Sequence, residues 1–350
     1  MPEQLRAELY TEIHSTFERH IAAHPHELDI LTLWTAYCHV WRSFQFAPRL
    51  LLWSATPAAG KTTVLDILSC LIPSCQLAST ISKSSFFRKI AATSPVMLLD
   101  EADKWLGKDD ELTAALNAGH KRNGTVLIST PTAKGDYEPT EFTVYAPAAI
   151  AAKNRQPPSD LISRSIRITM ARSIAPVPFS LTEHEAGLKE LCGRVVVALT
   201  YMQFPKPVRP EWLHGRTWDN WAPLFVVAGA AGPAWQARAE AAALTLTDTP
   251  LRDLDLEERL LHDIYRLLNG TERVHSESLA TALNRDEELP WGQLNHGRGI
   301  NTHILANMLG KFGIKPGAAP FRLNGGVPKR GYAKSVFVDA WARYGITQPE

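Results

Sequence analysis

Apolar residues recur at helical spacing from the start of the chain: Leu5, Leu9, Ile13, Phe17 and Ile21 fall on one stripe. His24-Pro25 interrupts it. A second helix is predicted from about Glu27, carrying Leu28, Leu31, Leu33, Trp34, Tyr37 and Val40, and Pro48 ends that segment. The period then changes. Leu50, Leu51, Leu52 and Trp53 form a continuous apolar run that reads as a short buried strand. Small residues follow at 54–60, then a helical pattern through Val64, Leu65, Ile67 and Leu68. Further strands are predicted at 77–80, 95–99, 148–152 and 165–168, separated by helices at 82–90, 111–120 and 159–162. Continuous apolar strands alternating with helices predict an α/β fold whose parallel sheet is covered on both faces.

Two stretches break this alternation. Residues 124–130 and 141–145 alternate apolar and polar around a turn-rich tip at 131–136, which predicts a β-hairpin with Lys134 near its end. Residues 181–246 are helical and Ala-rich, with breaks at Pro205, Pro207 and Pro210. After a linker at 250–255, helices are predicted at 256–268, 276–283 (Ser276 as cap) and 301–312. Short apolar stretches at 321–323 and 335–337 flank a basic turn. Three helices followed by a basic hairpin describe a winged helix, a variant of the helix-turn-helix. The expected organisation is an N-terminal helical segment (1–46), an α/β core (47–178), a helical segment (179–250) and a winged-helix-like domain (251–350).

The stretch LLLWSATPAAGKTT at 50–63 carries the clearest chemistry. A strand, a loop of small residues and a helix beginning at Lys-Thr are what a phosphate-binding P-loop requires. Backbone N–H groups of Ala58, Ala59, Gly60, Lys61, Thr62 and Thr63 would line a concave nest, with the positive end of the helix dipole behind it. Lys61 would reach the β- and γ-phosphates of ATP, and the Thr62 hydroxyl would hold Mg²⁺. The motif's first glycine is replaced by Ala55. A plain small-residue turn would account for Ala58, Ala59 and Gly60 but not for the Lys-Thr pair.

Farther along, Pro95-Val96-Met97-Leu98-Leu99 delivers two adjacent carboxylates, Asp100 and Glu101. This is the pattern of a Walker B strand. Asp100 would complete the Mg²⁺ shell, and Glu101 would polarise the attacking water as a positioned base. A solvated acidic turn is the alternative, since Asp103 is also near.

Composition narrows the setting. With 37 Lys and Arg against 36 Asp and Glu, no basic footprint covers the whole chain. The charge is instead local: from Trp291 onward, eight Lys or Arg (Lys329, Arg330 and Lys334 among them) stand against two acids. Such a concentration on one small unit suits a phosphate backbone, and a solvated protein-binding face is the competing reading. The four cysteines contain no C-x-x-C pair and read as reduced core thiols. His20, His24 and His26 read as a solvated helix face and turn without metal-ligand spacing. The sequence predicts neither a signal peptide nor a membrane span, and so a cytoplasmic protein without a membrane partner.

A strand ending at Lys153-Asn154, a proline-containing link, a helix, then Leu161-Ile162-Ser163-Arg164 and a strand resemble the core of AAA+ ATPases. That resemblance implies a γ-phosphate sensor at Asn154 and an arginine finger at Arg164, acting in a neighbour's site. It also implies a helical lid with Arg216, in GRTWDNW, on the phosphates. The runs ISKSSFFRKI, LLDEADKWL, ALNAGHKR and LISRSIRITMAR resemble a family of phage, prophage and plasmid ATPases described as primase-helicase proteins. The later GRTWDNWAPLFVVAGAAGPAWQARAEAA, LGKFGIKP and VFVDAWARYG resemble the same family's C-terminal half. Some members carry a primase module ahead of the ATPase; none is expected here.

The expectation is therefore a Mg²⁺-dependent ATPase that closes into a ring of its own copies, a hexamer. It would act as a helicase or translocase on single-stranded or forked DNA in replication of a mobile element, beside a separate primase. Lys134 would grip a strand in the channel, and Lys329, Arg330 and Lys334 would hold duplex. Two other readings stand beside it: an ATP-switched origin-binding or helicase-loading protein that does not unwind, and a protein-remodelling ATPase in phage–host conflict.

Overall fold

The computed structural model describes residues 3–54, 58–105, 110–131, 136–153, 157–170, 177–200, 202–247, 256–286, 289–323 and 325–346. Asn154, Lys134 and Ala55 lie outside the described residues. Two compact units emerge, Met1–Asp248 and Thr249–Glu350.

The first unit opens with α1 (Glu3–His20) and α2 (Pro25–Val40), followed by β1 (Arg49–Ser54), α3 (Lys61–Leu71), β2 (Cys75–Ala78), α4 (Lys83–Thr93), β3 (Val96–Leu99) and α5 (Asp110–Ala118). It continues through β4 (Thr125–Pro131), β5 (Tyr137–Thr143), β6 (Ala148–Lys153), α6 (Ser159–Ile162), β7 (Ser165–Thr169), α7 (Leu181–Leu199), α8 (Gly215–Ala230) and α9 (Pro233–Thr247). Five strands form one parallel sheet in the order β2-β3-β6-β1-β7. The strand order reverses at β1, and in open parallel sheets a ligand crevice forms at such a point, beyond the C-terminal strand ends.

The period-2 alternation of strand side chains explains why both faces are covered. Leu50, Leu52, Ala149, Ala151, Ile166 and Ile168 point into one core, shared with α1, α2, α3, α7, α8 and α9. Leu51, Met97, Leu99, Ala148, Ile150 and Ala152 point into the other, shared with α4 and α5. The helices of 181–247 are thus packed in one continuous core with α1 and α2.

Arg49 stitches the N-terminal edge of the sheet. It is 1% exposed, and its guanidinium donates to the carbonyls of Leu116 (2.6 Å), Ala47 (3.1 Å) and Ala146. Without it each of these buried acceptors would stand unpaired, at about 1–3 kcal/mol apiece. Burial depresses its pKa to about 10.

Sequence expectations are corrected in several places. His20 is buried rather than on a solvated face: its Nδ1 bonds to the Val177 carbonyl at 2.8 Å and its ring packs on Phe179. The second hairpin strand is Tyr137–Thr143, not 141–145, because the ribbon carries Pro139 opposite Ser129. A two-stranded ribbon has a free edge there, so the missing N–H costs no ladder bond. Val144 and Tyr145 turn inward instead.

The second unit contains α10 (Leu256–Leu267), β8 (Arg273–His275), α11 (Ser276–Arg285), α12 (Leu294–Gly297), α13 (Thr302–Gly310), β9 (Gly331–Ala333) and α14 (Val338–Arg343). Leu260, Leu261, Ile264, Leu279, Leu283, Trp291, Leu305, Tyr332, Phe337 and Trp341 fill its core. Residues 335–337 are not a hairpin strand. The strand is β9, antiparallel to β8, and Lys334–Val336 is a turn of 3₁₀ helix. Gly331 decides this: a Cβ there would lie 2.0 Å from the Val274 carbonyl, so the chain closes on β8 at 331. Phe321 and Lys329 bridge to complete the ribbon. Ser276 does not cap α11; His275 occupies that position, and its Nε2 bonds to the Phe321 carbonyl at 3.0 Å.

Candidate functional site

The pocket beyond β1 is assembled from three chain segments. β1 ends at the fully buried Ser54, and α3 begins at Lys61 with Gly60 as its N-cap. Gly60 stands at φ +84° and Ala58 at φ 58°. The left-handed conformation costs Ala58 roughly 1–2 kcal/mol, which the loop retains, while glycine adopts it freely. At Gly60 the angle matters more than space, since a Cβ would meet Met170 Cε at 3.5 Å and Ile21 Cδ1 at 3.8 Å, near ordinary contact.

From β3 come Asp100 and Glu101. The Thr62 hydroxyl donates to Asp100 Oδ2 at 3.0 Å, and the Glu101 N–H to Asp100 Oδ1 at 2.7 Å. Two hard oxygens side by side suit a small divalent cation that keeps several waters, so the pair fits Mg²⁺. Lys61 donates from Nζ to Ser54 Oγ. Its pKa is lowered, first by burial; Asp100 opposes this and Lys153 adds to it. Glu101 has left-handed backbone (φ 49°, ψ 36°). Its carboxylate is bonded to Lys104, which holds its pKa below the usual range. Strained non-glycine backbone of this kind clusters at functional sites.

The pocket encloses about 630 Å³, and Ala58, Ala59, Gly60, Lys61, Thr62, Thr63, Asp100 and Glu101 all line it. Ser79, Asp103, Ala151 and Lys153 complete the wall. No motif of the sequence assigns a role to Ser54, Ser79, Asp103 or Lys153. The usable signal for Ser54 and Lys153 was that each ends an apolar strand run. A larger groove of about 740 Å³ lies among Met202, Pro205, Val208, Trp212 and Phe225, with Arg6, Lys206 and Glu240 also on its wall.

Arg164 and Arg216 form a second cluster, away from this pocket's lining. Arg164 precedes β7, and its carbonyl accepts from Arg49 N–H at the start of β1. Its Nη1 donates to the Asp160 carbonyl at 2.6 Å and stands 3.9 Å from Asp160 Oδ1. Burial and the charge of Arg216 lower its pKa. Arg216 donates to Ser163 Oγ at 2.8 Å. Asn220 of the same helix donates to the Ser163 carbonyl at 3.1 Å and bonds to His120 Nε2 at 2.8 Å. Burial and Arg49 push His120 down to about 3, so its ring is neutral and donates to Asn220.

In the second unit, Lys329 is ion-paired with Glu277. Arg330 is exposed, as are Arg298, Lys311 and Lys315, and Lys334 is half-buried. The α13 face carries exposed Thr302, His303 and Asn307.

A family model described as a protein of unknown function, DUF3631, matches residues 182–344. Over 160 residues the chain is 32% identical to an uncharacterized 28.9 kDa protein in the xis 5' region of Saccharopolyspora erythraea. That stretch is 45% of this chain and spans 58% of the relative's length. Among solved structures, the chain is similar to the apo C-terminal region (305-718) of NrS-1, with a TM-score of 0.45 at 12% identity, over 95% of this chain and 76% of that one. It is similar also to JCV helicase, with a TM-score of 0.30 at 12% identity, over 75% and 63%. No helix among the described residues is long and apolar enough to cross a membrane.

Proposed function

We propose that the chain is an ATP-hydrolysing, ring-forming DNA helicase or translocase of the AAA+ type, with a helical lid and a winged-helix-like second unit, acting in replication of a mobile element. The observation that carries the reading is the meeting of Lys61, Thr62 and Asp100 in one pocket, with Thr62 and Asp100 in hydrogen-bond contact. Nothing in local sequence requires that contact; a nucleotide site does.

Lys61 and the loop amides bind the polyphosphate, and the start of α3 adds its dipole. Mg²⁺ held by Thr62 and Asp100 supplies neutralisation of phosphate charge. Glu101 orients the attacking water and takes its proton, once its bond to Lys104 is exchanged for that water. Arg164 acts on a neighbour's nucleotide, which makes ring closure part of the chemistry. In the second unit, the exposed α13 face and Arg330 hold duplex DNA.

The Glu101–Lys104 pair favours a second reading: an ATP-switched loader that hydrolyses slowly and does not unwind. Strand displacement on a forked duplex separates the two. The motor reading expects ATP-dependent release of the displaced strand, and the loader reading expects ATP-dependent assembly on DNA without it. In the same assay series, Arg330→Ala should weaken DNA binding across sequences and reduce the salt slope by about one. Lys329 should contribute less, because DNA must first displace Glu277.

A further inference from the structure

Resting on the reading of Arg164 as the arginine that acts on a neighbour's nucleotide, we propose that Asn220 is the positioning residue for that arginine. It is braced by His120 and acts through the turn at Ser163.

An arginine that reaches across an interface needs a fixed base. α6 has only four residues (Ser159–Ile162), too few for its own ladder to hold the turn that follows. Side chains hold Ser163 instead. Its hydroxyl donates to the Asp160 carbonyl at 2.9 Å and accepts from Arg216 Nη1 at 2.8 Å. Its carbonyl accepts from Asn220 Nδ2 at 3.1 Å. That carbonyl shares a planar peptide with the Arg164 nitrogen, so the Asn220 bond fixes the plane from which the Arg164 side chain departs. On the other side, the Arg164 carbonyl accepts from Arg49 N–H at 3.0 Å.

Burial separates Asn220 from the other anchors. Arg216 and Ser163 are exposed, so water can replace the contact between them. Asn220 is 4% exposed, and its Oδ1 accepts from Nε2 of His120, which is 5% exposed. With Oδ1 taken, the amide cannot turn over without losing both bonds. His120 is itself fixed. Its carbonyl accepts from Ala47 N–H at 2.7 Å, and its ring packs 5.4 Å from that of Phe46. Gly119 before it lies so close to the Val144 carbonyl that a Cβ would come within 2.1 Å. The bracket thus runs from the chain entering β1, through His120 and Asn220, to the peptide of Arg164. The competing explanation is that Asn220 only seats α8 on the core. Its loss would then weaken each subunit's own fold, and an intact neighbour would not repair it.

The test is ATP hydrolysis by the full chain carrying Asn220→Leu, alone, combined with Arg164→Ala, and mixed with Lys61→Ala. Asn220→Leu is expected to lower kcat by roughly 10- to 100-fold, the scale of a group misplaced by about 1 Å, with Mg·ATP affinity changed by no more than about threefold. Added to Arg164→Ala it should deepen the loss by no more than about twofold, because the two act as one unit. Mixing with Lys61→Ala, which carries an intact Arg164, should restore hydrolysis. The pair His120→Phe/Asn220→Leu replaces both buried partners by apolar groups, which costs the fold little, and should behave in the same way. An unchanged kcat, a loss that multiplies that of Arg164→Ala, or a defect that mixing leaves unrelieved in subunits that still bind Mg·ATP overturns the positioning role, with the role of Arg164 left standing. Hydrolysis by Arg164→Ala at the wild-type rate overturns the underlying reading and this inference with it.

Discussion

Lys61→Ala is expected to abolish nucleotide binding, whereas Glu101→Gln should retain binding and lose turnover by roughly 10²- to 10⁴-fold. The split follows from where the two groups sit. The Lys61 ammonium is held by Ser54 over the loop formed by Ala58, Ala59 and Gly60, so it meets the phosphates of any nucleotide bound there. Glu101 stands on the far side of Asp100, at the end of β3, with its carboxylate on Lys104. Gln keeps the size and hydrogen-bonding reach of Glu but accepts no proton. Equilibrium binding of labelled ATP and phosphate release, measured on the same preparations, check the two halves separately. Hydrolysis by Glu101→Gln at the wild-type rate would remove Glu101 from the role of base.

Arg164→Ala should lose hydrolysis by on the order of 10³-fold or more, yet regain it when mixed with Lys61→Ala. Arg164 stands at the N-terminal edge of the sheet, bonded through its carbonyl to Arg49 at the start of β1, while Lys61 follows the C-terminal end. The 6 residues of β1, at about 3.3 Å each, separate the two edges by roughly 15–20 Å. An arginine side chain does not span that distance, so Arg164 has no access to its own pocket and acts on a neighbour's or not at all. In the mixture, the Arg164→Ala subunit brings an intact pocket and the Lys61→Ala subunit brings the arginine. If both variants fold and assemble but mixing restores nothing, Arg164 is a structural residue held by Asp160. Arg216 leads to a finer expectation. It shares the Ser163 turn with Arg164, so its loss should perturb the same trans function rather than binding in its own pocket.

The contrast between these clusters shows what was legible in sequence. Strand, small-residue loop and Lys-Thr are contiguous, so this strand–loop–helix could be read locally, and so could the apolar strand ending in Asp100 and Glu101. The α/β class followed from continuous apolar runs between helices, and the five-stranded parallel sheet agrees with it. For Lys153 the local signal was only that it ends an apolar run; its pairing with Ser54 is set by strand order and register. Arg216 was assigned to the phosphates by its place in the chain. Its position beside Ser163 depends on how α8 packs, through Asn220 and His120, against the α6–β7 turn. The strand of the basic ribbon was misplaced because apolar Val336 and Phe337 suggested a strand, whereas close backbone approach at Gly331 determines where pairing occurs. The roles assigned to Asn154 and Lys134 fall outside the described residues and rest on the resemblance and the hairpin pattern alone.

The most direct test of the central claim is the initial rate of phosphate release from Mg·ATP, with and without single-stranded and forked duplex DNA, in the wild type and in Lys61→Ala. Hydrolysis is expected to rise when DNA is added and to disappear in Lys61→Ala. Hydrolysis indifferent to both forms of DNA, or undiminished in Lys61→Ala, would contradict it.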